Sequence, residues 1–191
     1  MSDTELLLDR FIASFEKLDD MRADKELFPI AWQLAVGDCD EFGFKHWRPV
    51  PVKADPLMLD PLYAKLPGRF PPLFEHLVLS YRWAEVELWS YRLLANPPGS
   101  DLSGLLHQML KDPGLRDNLL PAGYIQFGKG PDVDYDPVCF DTRSRRRSGD
   151  CRIVKLDHEE ILCNDRVKIV DELAPSFEQL MLQTIKQASL V

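Results

Sequence analysis

Three aspartates at alternate positions suggest metal chemistry. Asp132, Asp134 and Asp136 have the spacing with which the first carboxylates of a calcium-binding loop converge on the ion. The rest of that loop is missing, because Pro137 stands where a turning glycine is needed and Arg143 where a bidentate glutamate is needed. We therefore expect no metal site here and interpret the segment as a solvated turn leading into a strand. Asp132 and Asp134 are nevertheless kept among the residues predicted to bind a partner.

The other motifs that could support catalysis are incomplete. His158 begins a zinc-protease-like motif, but Leu162 occupies the place of the second histidine. The glycine-rich residues 127–131 follow a predicted strand but lack the lysine and hydroxyl residue of a phosphate-binding loop. No serine has a nucleophile-elbow context, and the histidines are scattered along the chain: His46, His76, His107 and His158. The sequence therefore predicts no catalytic residue, no metal ligand and no cofactor.

One short run is strongly basic. It contains Arg143, Arg145, Arg146 and Arg147, followed by Ser148 and a glycine. Such a run could contact a phosphate or an acidic partner. Polar runs between two strands are more often solvated hairpin tips, and we favour that interpretation.

A group of aromatic and acidic residues at alternate positions is the best candidate for a binding surface. It consists of Trp83, Glu85, Glu87, Trp89 and Tyr91. In a strand, these side chains would share one face, and the residues between them would occupy the other. Tryptophan and tyrosine are enriched in the binding surfaces of proteins, so we predict contact with a partner protein. The alternative is that the tryptophans pack beneath a flanking helix.

The overall charge restricts the kind of partner. The chain has 191 residues, with 23 Lys and Arg against 31 Asp and Glu, which gives a net charge of −8. This charge repels phosphate backbones and anionic lipids, so we expect neither nucleic acid nor membrane as a partner. The opposite field of a basic protein, such as a nuclease toxin, would favour its approach. Simple solubility is an equally good explanation of the charge.

Other features of the sequence favour a cytoplasmic protein. No apolar run approaches the roughly 18 residues of a membrane-spanning helix, and the first residues are acidic where a secretory signal would be basic. The four cysteines, Cys39, Cys139, Cys151 and Cys163, form no metal-binding spacing, which favours free thiols in a reducing compartment.

The periodicity of apolar residues predicts helices at both ends and strands between them. Helices are predicted over residues 4–20, about 26–35, from 71 to about 81, about 101–112 and from about 174; strands are predicted over 42–52, 84–88, 123–128, 135–141 and 151–156. This arrangement favours an α+β fold with a largely antiparallel central sheet flanked by helices. Residues 1–50 are interpreted as an N-terminal helical extension packed on a body formed by residues 51–191.

Five segments of the body resemble the SUKH superfamily. Residues 66–77 look like its opening helix, 123–128 and 135–141 like its glycine-led strands, 153–159 like the next strand, and 173–180 like its closing helix. The resemblance covers roughly residues 58–185. Residues 1–50 and the segment 83–101 depart from the pattern.

The resemblance implies an α+β domain of a kind that often serves bacteria as an immunity protein, which neutralises a toxin by binding it. Other members are regulatory or scaffolding proteins, and the family supplies no catalytic residue to carry over. Toxin neutralisation is therefore the leading hypothesis, and a regulatory scaffold is the alternative. An enzyme whose site is assembled only in the folded chain is the third possibility. It would need His46 or His158 beside a carboxylate in a deep pocket. The oligomeric state is not predicted.

Overall fold

The structure, a computed structural model, describes residues 2–18 and 21–190. The helices in these residues are α1 (Asp3–Phe15), α2 (Pro29–Gln33), α3 (Asp60–Tyr63), α4 (Pro72–Ser80), α5 (Ser103–Leu110), α6 (Pro113–Leu119), α7 (His158–Asn164) and α8 (Phe177–Ala188). The strands are β1 (Arg22–Ala23), β2 (Ala35–Val36), β3 (Lys45–Trp47), β4 (Val50–Pro51), β5 (Tyr81–Arg82), β6 (Val86–Leu88), β7 (Tyr91–Leu93), β8 (Tyr124–Lys129), β9 (Pro137–Asp141), β10 (Ile153–Leu156) and β11 (Ile169–Ala174). Short 3-10 turns lie at Pro56–Leu59 and Thr142–Ser144.

The centre of the fold is a six-stranded sheet with the order β11-β10-β9-β8-β7-β6. Each neighbouring pair in this sheet is antiparallel. Strands that follow one another along the chain are neighbours in the sheet, although α5 and α6 lie in the connection between β7 and β8, and α7 in that between β10 and β11. The predicted α+β fold with a central antiparallel sheet is confirmed.

One face of the sheet carries the main hydrophobic core, in which phenylalanines from the sheet meet phenylalanines from the helices. Phe127 of β8 stacks on Phe140 of β9 with ring centroids 4.1 Å apart. Phe74 of α4 and Phe177 of α8 contact each other at 5.2 Å, and both rings meet Phe140 edge-on. Aromatic pairs in these geometries stabilise a core beyond the area they bury. The predicted apolar faces of the helices that correspond to α4 and α8 therefore form this layer.

The opposite face of the sheet is only partly covered. Helices α6 and α7 pack there around a small second cluster, which includes Leu119, Cys139, Val154, Leu156 and Ile161. Strand alternation explains the division, since Ile153 faces the main core and its neighbour Val154 faces the second cluster. The buried position of Cys139 raises the pKa of its thiol. Among the described residues, no helix has both the length and the apolar character needed to span a membrane.

The N-terminal extension is more than helical. Its first helix begins with a capping box between Ser2 and Glu5 and ends at Phe15, so it is shorter than the predicted 4–20. Residues 19–20 lie outside the described residues. A small sheet with the order β1-β3-β2 follows, and β4 pairs with β5 of the body. The extension also contributes to the main core, where Phe11 meets Phe177 at 6.5 Å.

The C-terminal segment differs from its prediction. A helix was expected from about residue 174, but Ile169–Ala174 forms the edge strand β11 and the helix begins only at Phe177. Ser176 caps this helix by accepting a hydrogen bond from the backbone amide of Gln179. Pro175 separates the two elements because it disfavours helical geometry in the residue before it.

Candidate functional site

The structure contradicts the predicted single face of aromatic and acidic side chains. Trp83 and Tyr91 are each 0% exposed and belong to the main core. The chain reverses at Trp89, whose φ is +42°, so Tyr91 lies on the next strand. Residues 84–85 are irregular, and the alternation that would have linked Trp83 to Glu85 is broken there. Trp83 and Tyr91 are therefore wrongly placed in the predicted partner-binding surface.

The surroundings of Trp83 and Trp89 explain why tryptophan is present at these two positions. The indole of Trp83 donates a hydrogen bond to the carbonyl oxygen of Leu94 at 2.9 Å, which satisfies its one polar atom in the core. Trp89 is half-buried at the tip of the β6–β7 hairpin and packs against the main core. This arrangement corresponds to the alternative in which the tryptophans serve packing.

Glu85 and Glu87 lie close together, half-buried beside two cations. Arg92 Nη2 lies 2.6 Å from Glu87 Oε2, and Lys129 Nζ lies 2.9 Å from Glu85 Oε1. Arg92 Nη1 also lies 3.7 Å from Glu85 Oε1. Burial raises the pKa of Glu87, but hydrogen bonds from Arg92 and from the amide of Asp132 outweigh it, and the net pKa is lowered. Glu87 is thus held ionised, and the ion pairs keep both carboxylates in fixed positions.

Asp132 is joined to this group through its backbone. Its amide donates to Glu87 Oε2 at 3.1 Å, and its carbonyl oxygen accepts from Arg92 Nη2 at 2.6 Å. The φ of Asp132 is +51°, a conformation that aspartate tolerates better than most residues. The carboxylate of Asp132 remains on an exposed residue. The sequence separation from Glu87 meant that this contact could not be predicted.

Asp134 belongs to a different set of contacts. Its carboxylate lies 2.9 Å from Lys155 Nζ and accepts a hydrogen bond from the amide of Asp136. Burial opposes ionisation of Asp134, but the hydrogen bond from Lys155 outweighs it and lowers the pKa. Asp134 therefore helps to fix the loop between β8 and β9.

A groove of about 460 Å³ lies between the N-terminal extension and the edge of the large sheet. One wall comes from the extension and contains Leu27, Phe28 and Trp47. The other wall contains four consecutive residues, 84–87, together with Arg92. β6 is the last strand in the sheet order of the described residues, so the edge of the β6–β7 hairpin borders the groove. The predicted Glu85 and Glu87 both line it.

The apolar wall of this groove was not anticipated from the sequence. Leu27 is 70% exposed and Phe28 is 53% exposed. Asp24 fixes the turn that presents them, since its Oδ1 accepts hydrogen bonds from the amides of Glu26 and Leu27 at 2.8 and 2.7 Å. Pro29 then begins α2. The only sequence signal was an apolar pair immediately before a helix-starting proline.

His158 and Asp136 form the one predicted combination that an enzyme would need. His158 Nδ1 lies 2.7 Å from Asp136 Oδ1, and the same oxygen accepts a hydrogen bond from the His158 amide at 2.9 Å. Neither residue lines the groove or either of the two smaller cavities beside α4. His46 lies on β3 and is exposed. Among the described residues, no group of three or more potential ligands converges as a metal site.

Comparison of the chain with models of protein families, with curated proteins and with solved structures found no match. The resemblance to the SUKH superfamily therefore stays a prediction. The groove, with Glu85, Glu87 and the two exposed apolar side chains, is the candidate site that the fold assembles.

Proposed function

We propose that this protein is a non-enzymatic binding module of the immunity type, which neutralises a partner protein by taking one of its segments into the groove. The observation that carries the proposal is the composition of the groove's two walls. Exposed Leu27 and Phe28 line one side, and Glu85 and Glu87, fixed by ion pairs, line the other. An apolar centre with a polar rim is the usual composition of a protein-binding site.

The apolar wall supplies affinity. Burying the exposed parts of Leu27 and Phe28 removes apolar surface from water, which contributes about 25 cal/mol for each Å². A large aromatic side chain beside a concave surface is a common anchor in protein interfaces. We expect Phe28 to be the residue of the groove on which binding depends most.

The acidic wall supplies orientation. Oε2 of Glu85 and Oε1 of Glu87 accept no hydrogen bond from the described part of the chain. Each carboxylate therefore keeps one oxygen available to a lysine, an arginine or an amide of the partner. The groove itself also contains Arg22 and Arg92, so attraction of a basic partner rests on the net charge of −8 of the whole chain.

Capture of a partner from the native extract, compared between matched variants, tests the proposal. Phe28→Ser removes the expected anchor, and Phe42→Ser is its control because Phe42 is 72% exposed in the same extension but does not line the groove. We expect Phe28→Ser to weaken capture at least tenfold, or about 1.4 kcal/mol, and Phe42→Ser to leave it unchanged. Equal capture by both variants would exclude the groove.

The carboxylates are tested in the same assay by neutral substitutions. Glu87→Gln keeps the shape of the side chain, and Glu172→Gln is a matched control because Glu172 is half-exposed and lies 3.4 Å from Arg152. We expect weaker capture with Glu87→Gln only, and weaker capture by the native chain at high salt.

An activity assay of the captured protein then distinguishes the two binding roles. An immunity-type function predicts loss of the partner's activity at a one-to-one ratio. A regulatory scaffold predicts binding with the partner's activity retained.

A further inference from the structure

We infer that the partner segment binds in extended conformation, as an additional strand along the free edge of β6. This inference rests on the proposed function, because it specifies how the groove is occupied. It is carried by the topology of the sheet edge, by the unpaired backbone groups along it and by the wall opposite.

The edge of the β5–β6 segment is covered at one end only. Val50 and Pro51 of β4, where the extension joins the body, pair with Arg82 and Tyr81, so a strand already lies along the edge there. From residue 84 onward that partner is absent, and β6 is the last strand in the sheet order within the described residues. A segment in the groove would therefore continue along the line that β4 begins.

Backbone groups along this edge have no partner in the described chain. Neither Ala84 nor Glu85 makes a backbone hydrogen bond to any described residue. Leu88 and Tyr91 flank a two-residue turn, which makes them a hydrogen-bonded pair, and Val86 pairs in the same way with Leu93. The intervening Glu87 consequently directs its amide and carbonyl away from β7. A strand added here would satisfy these groups.

The backbone groups of Ala84 are both buried and without a hydrogen-bond partner in the described chain. The residue is only 3% exposed, so its backbone groups are largely removed from bulk solvent. Buried backbone groups are almost always hydrogen-bonded in native proteins. The backbone amide and carbonyl of Ala84 have no partner and border a groove, so they point to a ligand that has backbone groups of its own.

The two walls predict the side-chain pattern of the added strand. Its alternate side chains point to opposite faces. One set would meet Leu27, Phe28 and Trp47, and the other would lie near the available oxygens of Glu85 and Glu87. We therefore expect a segment in which apolar residues alternate with basic residues.

Synthetic peptides test this mode of binding directly. The probe is a capped heptapeptide of alternating valine and lysine, titrated into the isotope-labelled full chain while amide chemical shifts are recorded. Two further peptides carry backbone N-methyl groups on the valines only or on the lysines only. In strand addition, alternate amides face β6, so one of these two peptides should bind at least tenfold more weakly than the parent and the other should not.

The outcomes separate this inference from the proposed function. The shifted amides should include those of residues 84–87, and a valine–glutamate peptide should bind more weakly than the valine–lysine peptide. Equal binding of both methylated peptides, or no binding of the parent at millimolar concentration, would overturn strand addition. Capture of the native partner by Phe28→Ser and Phe42→Ser would still decide the proposed function independently.

Discussion

Asp141 shows how single residues fix the basic run of the chain. Its side chain is 1% exposed, and its carboxylate lies 2.9 Å from Arg143 Nε and 2.8 Å from Arg152 Nη2. Arg143 also stacks over Tyr124, and Arg145 donates to the carbonyl oxygens of Gly149 and Arg69. Arg143 and Arg145 are therefore held by contacts within the fold, and the end of the run, residues 146–148, forms an exposed tip.

Replacing Asp141 by asparagine should destabilise the protein in a pH-dependent way. Burial raises the pKa of Asp141, but hydrogen bonds from Arg143 and Arg152 outweigh it and lower the pKa below that of the unfolded chain. The stabilisation is therefore complete above the unfolded pKa of about 3.9 and is lost as pH falls through the lower folded pKa. We expect Asp141→Asn to lower the free energy of unfolding by about 2–4 kcal/mol at pH 7.

Denaturant unfolding of the native chain and the variant between pH 7 and pH 3 measures this effect. The difference in the free energy of unfolding between the native chain and Asp141→Asn should become smaller below about pH 4. Asp171→Asn is the control, since Asp171 is exposed on β11 and should change stability by less than about 0.5 kcal/mol. A constant difference across the pH range would contradict the assigned role of Asp141.

Elements in which the pattern of apolar residues is uninterrupted were predictable from the sequence. Elements that form only through contacts with other segments were not. The apolar runs of β8 to β10 and the apolar faces of α4 and α8 were visible in the sequence because each of these elements is largely buried against the cores. Strand β11 was missed because four of its six residues are exposed, which leaves no alternation. The β6–β7 hairpin was missed because its turn, residues 89–90, contains none of the usual glycine or asparagine signals.

Gly128 is the residue on which the spacing of β7 and β8 depends. A Cβ atom at this position would lie 2.7 Å from the carbonyl oxygen of Arg92, which is backbone and cannot rotate away. We expect Gly128→Ala to separate these strands and to lower the free energy of unfolding by about 1–3 kcal/mol.

Thermal unfolding of Gly128→Ala and Gly99→Ala provides the comparison. A Cβ atom at Gly99 would meet no atom closer than 3.5 Å, so this control should be nearly neutral. Because Arg92 holds Glu87 and Asp132, Gly128→Ala should also weaken peptide binding in the groove. Equal stability of the two variants would contradict the close approach of the strands.

At the scale of the whole molecule, the candidate site exists only because the extension lies against the sheet. The carboxylates Glu85 and Glu87 were identifiable from their spacing, but Leu27 and Phe28 are almost 60 residues away in sequence. No local pattern encodes a contact across that distance, since it depends on how α1 and β4 attach the extension to the body. Sequence reasoning therefore found one wall of the groove and not the other.

This attachment predicts that extension and body unfold together. Trp47 lies in the extension and Trp83 in the body, and both belong to the same core cluster. Two variants are compared, one that retains Trp47 as its only tryptophan and one that retains only Trp83. The denaturant midpoint of each is measured by tryptophan fluorescence and expressed relative to the midpoint that circular dichroism gives for the same variant. These relative midpoints should be equal. Phe11→Leu, which loosens the contact between α1 and Phe177, should lower both midpoints equally. An earlier transition at Trp47 would mean that the extension opens separately, and the groove would then be a hinged surface instead of a fixed one.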